Sequence, residues 1–175
     1  KGLVNWLYQK IRSYTIKRKT FLLKNNCKKG WHLDIGCGTG EFLDACRKEG
    51  FSVKGVEPSE KAREKAIKNY NLSVYKEETL ANIKSLQFDS ISMWHVLEHV
   101  YDLNEYMNDI SRILKKEGRV IVAVPNPKSW DCLHYKEFWA AWDVPIHLWH
   151  FSKENIIRLF EKYGLECIKT KPMIF

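Results

Sequence analysis

The stretch at 31–42 constrains the fold of this chain most, because a short apolar run leads straight into a glycine cluster and then into a helical pattern. The run Trp31–Ile35 has the length and composition of a buried strand, and Gly36, Gly38 and Gly40 follow it directly. Glycine permits a tight backbone turn and the close approach of a ligand, which nucleotide-binding sheets use at the carboxyl end of their first strand. The stretch therefore predicts a nucleotide-binding α/β domain.

Strand and helix patterns alternate along most of the chain. Beyond the first strand, short apolar runs predict strands at 52–57, 72–76, 88–94 and 119–124. Helical patterns lie between them, at 40–49, 59–69 and 102–116. A last helix is expected between Ser152, a suitable N-cap, and Gly164, with one further strand from about residue 165. Strands that alternate with helices indicate parallel βαβ units, so we expect an α/β fold with a doubly wound, mostly parallel sheet in three layers.

The acidic residues near the glycine turn constrain the charge of the ligand that can bind there. The third glycine stands one place earlier than in the dinucleotide fingerprint, and Glu41 in the first helical turn would repel a pyrophosphate. Asp34 offers a carboxylate suited to an ammonium or sulfonium group, and Glu57 can accept hydrogen bonds from two ribose hydroxyls. Two structural alternatives stay open: Asp34 as a turn-forming acid, and Glu57 as the acid that leads into a helix capped by Ser59. We therefore expect a ligand less anionic than a dinucleotide.

Three motifs, DIGCGTG, GVEPS and FDSISMWHVLEHV, resemble those of class I S-adenosylmethionine-dependent methyltransferases and occur in the same order. The resemblance covers roughly residues 29–170. It implies S-adenosylmethionine as cofactor, S-adenosylhomocysteine as product, and a Rossmann-like sheet of strand order 3-2-1-4-5. The implied cofactor-binding residues are Asp34, Gly36, Cys37, Gly38 and Gly40 near methionine, Glu57 and Pro58 at the ribose, Glu78, Thr79 and Leu80 near adenine, and Trp94 and His95 as a wall. The adenine assignment is loose, because the stretch at 76–78 lacks the usual Gly-Asp pair.

The segment His95–His99 also matches the H-x-x-E-H pattern of inverted zinc peptidases. That interpretation needs both histidines on one sustained helix and a further ligand downstream, whereas His95 follows a strand and Asp102 already begins the next helix. The segment instead resembles the stretch after the fourth strand of small-molecule methyltransferases, including ubiquinone-pathway O-methyltransferases, some of which resemble metal-assisted enzymes there. We assign no metal ligand, and a metal at Glu98 and His99 stays an open alternative.

The region 125–151 is rich in aromatic residues and has no clear period, and we interpret it as a substrate cover. Its end, 145–152, resembles the Pro-x-His-x-x-His-Phe-Ser segment of a methyltransferase subgroup often found beside sugar, lipid and surface-polysaccharide genes. We expect His147 and His150 to be catalytic, with His147 as the base for a hydroxyl acceptor. The alternative for His150 is packing beside the Ser152 cap. The expected reaction is methyl transfer to a small molecule, most readily to oxygen.

The excess positive charge lies in the first thirty residues, which contain nine Lys or Arg and no acid. Apolar residues recur there at helical spacing, so 1–28 is predicted to form a basic amphipathic helix that caps the cofactor site. Such a helix could attract phosphate or an acidic membrane surface, or be a solvated basic face. Two competing functions are an RNA-binding methyltransferase-like module and a nicotinamide oxidoreductase. No RNP-like motif supports the first, and we expect no nucleic-acid partner.

Length and composition complete these expectations. A chain of 175 residues suits one domain, here 29–175 behind the N-terminal helix. No apolar run is long enough to span a bilayer, and the start lacks the apolar stretch of a signal peptide, so we expect the cytoplasm. The five cysteines are spread out without a Cys-x-x-Cys pair, which indicates reduced thiols. The family pattern ends with two further strands and only one fits before Phe175, so we expect a truncated C-terminus and an incomplete sheet edge.

Overall fold

The computed structural model describes residues 2–173, without the side chains of Leu3, Glu77, Glu78 and Thr79. Five parallel strands form one sheet in the order β3-β2-β1-β4-β5. The strands are β1 (Trp31–Ile35), β2 (Ser52–Val56), β3 (Val74–Tyr75), β4 (Phe88–Trp94) and β5 (Leu114–Ala123). The predicted fold class and strand order are confirmed.

Six α-helices accompany the sheet in the described residues. They are α1 (Gly2–Asn26), α2 (Glu41–Lys48), α3 (Glu60–Tyr70), α4 (Leu103–Ile113), α5 (Trp130–Tyr135) and α6 (Lys153–Lys162). Side chains cap four of the helices: Ser59 accepts from the amide of residue 62, Asp102 from that of residue 105, Ser129 from that of residue 132, and Ser152 from that of residue 155. Each cap satisfies an amide that has no partner within its helix. The helix starts predicted at Ser59, Asp102 and Ser152 are therefore confirmed.

The hydrophobic core lies on both faces of the sheet. The larger cluster packs β1 and β4 against α4 and α6, with Phe88, Met93 and Met107 fully buried at its centre. On the other face, Phe42 and Cys46 of α2 pack with Leu23 of α1. β4, inside the sheet, is buried along nearly its whole length, as is usual for a parallel strand covered on both faces.

Two predicted boundaries are wrong. The helix predicted to reach 116 ends at Ile113, and β5 starts at Leu114, because the chain already pairs there with β4 opposite Phe88. The strand predicted from 165 is absent: in the part of the chain that the structure describes, nothing pairs with the segment after Gly164. A strand exists only with a hydrogen-bonded neighbour, so an apolar pattern without one stays irregular.

The N-terminal helix α1 packs through the side that carries Thr20 and Leu23. Ion pairs join its Arg12 to Glu41 of α2 and its Lys24 to Glu49 beyond α2. Between residues 2 and 173, no helix is both long enough and apolar enough to cross a membrane.

Candidate active site

The glycine turn adopts backbone conformations that require glycine. Gly36, Gly38 and Gly40 have φ angles of 73°, 56° and 86°, in the left-handed region that residues with a Cβ rarely occupy. The amides of Gly36 and Cys37 donate to the carbonyl of Val56 at 2.7 and 3.1 Å, which ties the turn to the end of β2. A Cβ at Gly38 would meet no heavy atom within 4 Å. Open space therefore lies beside the backbone of the turn, where a ligand can approach it.

Glu57 joins the glycine turn to the start of α3. Its Oε2 accepts from the amide of Gly38 at 2.8 Å, and its Oε1 accepts from the amide of Ser59 at 2.9 Å. The guanidinium of Arg63 donates to the carbonyls of Glu57 and Pro58 and so stabilises the backbone between β2 and α3. The contact of Glu57 with the start of α3, which was one of the two alternatives predicted for this residue, is present. The same carboxylate also supports the glycine turn. Since a carboxylate has about four acceptor positions, two remain for a ligand.

A first cavity of about 360 Å³ lies between α1 and the turn. From the turn, its wall is formed by Cys37, Gly38 and Thr39. From α1, Arg12 and Lys19 place two cationic side chains along the opposite wall. Arg12 also donates to Thr39 Oγ1 at 2.9 Å, beside its ion pair with Glu41. Helix α1 therefore forms one wall of the first cavity, next to the glycine turn. Its predicted role as a cap over a bound cofactor stays a prediction.

A second cavity, of about 430 Å³, opens beside Glu57 at the carboxyl ends of β1 and β2. Its lining includes Gly36, Glu57, Pro58, His95 and His99. In doubly wound sheets this edge, next to the point where the strand order reverses, is the usual ligand crevice. Several residues implied by the methyltransferase resemblance therefore share one wall of one cavity.

Asp34 lies behind the turn and lines neither cavity. Its buried carboxylate accepts from Ser92 Oγ, and His32 Nε2 lies 3.1 Å from the same hydroxyl. Burial raises the pKa of Asp34 to about 7. Trp94, which also lines neither cavity, has Lys19 Nζ 4.6 Å from its ring centroid, and burial lowers the pKa of Lys19. Contacts of Asp34 and Trp94 with the cofactor stay predictions.

The residues expected near adenine are placed only in part. The side chains of Glu78 and Thr79 lie outside the described residues, and their backbone belongs to a short 3-10 helix, Glu77–Asn82. Leu80 is buried in the larger core cluster and lines neither cavity. Gly40 packs closely against α3 and likewise lies outside both linings. Their proposed cofactor contacts are not tested by this arrangement.

Three side chains that could hold a metal ion converge beside the second cavity. Glu98, His99 and His147 each offer one ligand atom, and these atoms lie within 4.8 Å of one another. Glu98 is fully buried, and its Oε1 lies 3.1 Å from His95 Nδ1. Its Oε2 has no hydrogen-bond partner among the described residues. An unsatisfied buried carboxylate oxygen is energetically costly, and a cation would remove that cost.

Hydrogen bonds fix which nitrogen of each ring is free. His99 Nδ1 lies 3.2 Å from the carbonyl of Ile146, and His147 Nδ1 lies 2.8 Å from that of Ala141. Because a carbonyl only accepts, both Nδ1 atoms carry a hydrogen, and in the neutral ring each Nε2 keeps its lone pair. Backbone carbonyls commonly orient metal-ligating histidines in this way. The same lone pair is what a general base needs. Asp143 Oδ2 lies 4.0 Å from His147 Nε2.

The segment that carries His147 is bound to the loop after β4. The amides of Leu148 and Trp149 both donate to the carbonyl of Glu98, at 2.7 and 3.3 Å, and Trp149 Nε1 donates to that of Val100 at 2.7 Å. These bonds bring two distant parts of the sequence together at the second cavity.

His150 is held outside the cluster. Its Nε2 donates to the carbonyl of Trp142 at 3.1 Å, and its ring centroid lies 6.3 Å from that of His147. These contacts, next to the Ser152 cap, favour the packing alternative. A catalytic role of His150 stays a prediction.

A family model described as a methyltransferase domain matches residues 8–170. The chain belongs to this methyltransferase family. Two curated relatives are ubiquinone biosynthesis O-methyltransferases. The one from Bartonella tribocorum is 34% identical over 138 residues, covering 74% of this chain and 49% of the relative. The one from Dinoroseobacter shibae is 30% identical over 156 residues, covering 82% and 62%. This methyltransferase chain therefore spans about half to three-fifths of those relatives.

Solved methyltransferases share the fold. A SAM-dependent methyltransferase from Archaeoglobus fulgidus aligns with a TM-score of 0.73 at 23% identity, over 91% of this chain and 73% of that one. A SAM-dependent methyltransferase from Thermotoga maritima aligns with a TM-score of 0.66 at 26% identity, over 91% and 77%. The resemblance inferred from the motifs is confirmed at the level of the family and its fold.

Two features of the site in this methyltransferase were not predicted from its sequence. The sequence analysis treats Arg12 and Lys19 only as cations of a basic helix. Because residues seven apart lie on the same side of a helix, their spacing does indicate that the two side chains lie close together. The approach of His147 to Glu98 and His99 has no signal in sequence spacing. It depends on how the segment 146–149 folds onto the loop after β4.

Proposed function

We propose that this chain transfers the methyl group of S-adenosylmethionine to an oxygen atom of a small molecule. The observation that carries the proposal is Glu57, which supports the glycine turn with one oxygen and the entry to α3 with the other, and which lines the second cavity. Family membership supports methyl transfer. The names of the two relatives, which specify O-methylation, support oxygen as the acceptor atom.

The residues around the turn fit the parts of this cofactor. The free acceptor positions of Glu57 suit two ribose hydroxyls, and the open backbone at Gly38 suits close contact with the chain that leads to the sulfonium. Arg12 and Lys19 offer cations to an amino-acid carboxylate in the first cavity. Bound S-adenosylmethionine supplies an electrophilic methyl group. The protein contributes positioning and exclusion of water, which can provide much of the acceleration of such a transfer.

A hydroxyl acceptor must lose its proton, and the cluster at the second cavity offers two ways to achieve this. In the first, Nε2 of His147 accepts the proton as a general base. In the second, Glu98, His99 and His147 hold a divalent cation, which would lower the pKa of a bound hydroxyl. We propose the second, because the unpartnered buried Oε2 of Glu98 and the two carbonyl-oriented imidazoles suit a cation better than a lone base.

Binding measurements test the cofactor. Calorimetry with S-adenosylmethionine and S-adenosylhomocysteine should show saturable binding, whereas NAD should not bind. Binding of NAD alone would favour the nicotinamide oxidoreductase considered from the sequence. Salt-dependent retention of RNA without cofactor binding would favour the RNA-binding module.

Metal content and single-turnover rate separate the two roles of His147. If a cation is held, dialysis against Zn²⁺ or Mn²⁺ should leave about one ion per chain, and Glu98→Gln and His147→Ala should both lose it. The control His134→Ala alters an imidazole that stacks on Trp130 away from the cluster, and it should keep the ion. A chelator-insensitive rate that still falls about 100 to 10,000-fold in His147→Ala would instead identify a general base.

A further inference from the structure

The outward face of α1 carries four large apolar side chains, each more than half exposed. Its members are Trp6, Leu7, Lys10, Tyr14, Lys17 and Phe21. At 100° of rotation per residue they fall within about 100° of the helix circumference. Trp6, Leu7, Tyr14 and Phe21 are 57%, 53%, 60% and 66% exposed. Leu23, on the opposite side, is fully buried, so the helix buries one side in the protein and presents a second apolar side outward.

Cations are interleaved with these apolar side chains. Lys10 and Lys17 are exposed within the outward face. Lys10 Nζ lies 5.6 Å from the ring centroid of Trp6, and Arg18 Cζ lies 5.7 Å from that of Tyr14. The first thirty residues contain no acid, and among the described residues neither Lys10 nor Lys17 forms an ion pair, unlike Arg12 and Lys24. A partner of complementary chemistry is therefore both anionic and apolar.

We propose that the outward face of α1 docks on a bilayer that contains anionic lipids. Lysines would lie at the headgroups, and Trp6 and Tyr14 would occupy the interfacial layer in which amphipathic aromatic side chains concentrate. Leu7 and Phe21 would enter the acyl boundary. A nucleic acid explains these observations less well, because an aliphatic side chain such as Leu7 gains nothing from phosphates and cannot stack like an aromatic ring.

Docking in this orientation has a consequence for the site. The other side of the same helix borders the first cavity through Arg12, Thr15 and Lys19. A bilayer on the outward face would therefore lie one helix diameter, about 10 Å, from that cavity. The docking itself rests only on the surface of α1, and its test needs neither cofactor nor substrate.

Vesicle co-sedimentation of the whole chain tests the proposal. The chain should sediment with vesicles of phosphatidylcholine and phosphatidylglycerol, and not with phosphatidylcholine alone. Raising the salt to about 0.5 M should weaken binding, because surface charges are then screened. The double variants Trp6→Ala/Leu7→Ala and Lys10→Glu/Lys17→Glu should each lower the partition coefficient about tenfold or more. Unchanged circular dichroism spectra and urea-denaturation midpoints would show that these variants remain folded.

Matched substitutions elsewhere provide the controls. Lys61→Glu/Lys65→Glu reverses two exposed charges on α3, and Ile67→Ala/Leu86→Ala removes two exposed apolar side chains away from α1. Both should bind vesicles as the wild type does.

Three results would overturn the proposal. The first is the absence of binding to anionic vesicles. The second is RNA retention that depends on Lys10 and Lys17 while vesicle binding ignores Trp6 and Leu7. The third is self-association that the Trp6 and Leu7 variant abolishes, in a chain that does not bind vesicles.

Discussion

Asp34 and His32 should make opposite contributions to the pH dependence of stability, and these contributions should cancel in the wild-type protein. Both side chains are buried on β1 and are linked through the hydroxyl of Ser92. Burial raises the pKa of Asp34 to about 7 and lowers the pKa of His32 to about 3. Near pH 5 the folded chain therefore keeps Asp34 protonated and His32 neutral, whereas the unfolded chain has the reverse protonation.

The sign of each contribution follows from the protons bound in each state. At Asp34 the unfolded chain binds fewer protons, so the free energy of unfolding falls as pH rises from about 4 to about 7. At His32 the unfolded chain binds more, so the free energy of unfolding rises from about pH 3 to about pH 6.5. Each slope is about 1.4 kcal/mol per pH unit, so the two offset one another between about pH 4.5 and 6.

In the variant Asp34→Asn, the contribution of His32 to the pH dependence of the free energy of unfolding should no longer be cancelled. The amide has nearly the same shape and can still accept from Ser92, but it does not titrate. Over the interval from about pH 4.5 to 6, its free energy of unfolding should rise by about 2 kcal/mol relative to that of the wild type. Urea denaturation at several pH values, followed by circular dichroism, measures this difference.

Two further variants sharpen this test. His32→Asn should show the mirror image, a free energy of unfolding that falls across the same interval, because only the Asp34 contribution remains. Asp131→Asn, which alters an exposed carboxylate on α5, should run parallel to the wild type. If the Asp34→Asn and wild-type profiles are parallel from about pH 4.5 to 6, the opposed protonation of the pair is refuted.

Three other predictions address the cofactor site. Glu57→Gln keeps the size of the side chain but replaces one acceptor, and it should weaken S-adenosylhomocysteine binding by about 1–3 kcal/mol in calorimetry. An unchanged Kd would leave Glu57 only its structural contacts with the amides of Gly38 and Ser59. Gly40→Ala places a Cβ 2.8 Å from Ala66 Cβ at a φ of +86°, and should lower the free energy of unfolding by about 1–3 kcal/mol; a wild-type melting temperature would contradict this. S-adenosylhomocysteine at about 100 times its Kd should stabilise the chain by about 2.7 kcal/mol in a thermal melt, and a shift with NAD instead would count against the proposed cofactor.

Features that depend on neighbouring residues were predicted well. The bounds of β1, the glycine turn and the caps at Ser59 and Ser152 all follow from interactions within a few residues, and the structure shows each of them. A cap needs only its own first helical turn, and a positive φ needs only the local backbone. Such features can be recognised in a sequence without knowledge of the fold.

Features that depend on distant partners were predicted poorly. The start of β5 moved to Leu114 because β4 pairs with it there, and the strand from 165 is absent because nothing described pairs with it. The bond of Asp34 to Ser92 was likewise not predicted, whereas the expected contact of Asp34 with the cofactor stays a prediction. Pairing and burial depend on which segments meet, and spacing along one segment does not contain that information.

The sequence by itself determined the methyltransferase family, the order of strands and helices, and the residues at the glycine turn, because these follow from local periodicity and from motifs of contiguous residues. Only the tertiary structure decided that His147 meets Glu98 and His99, about fifty residues earlier, and that a buried oxygen of Glu98 has no hydrogen-bond partner among the described residues. It likewise decided which side of α1 borders a cavity and which side remains exposed. The physical reason is that such contacts depend on how whole segments pack, and many packings are compatible with the same local pattern.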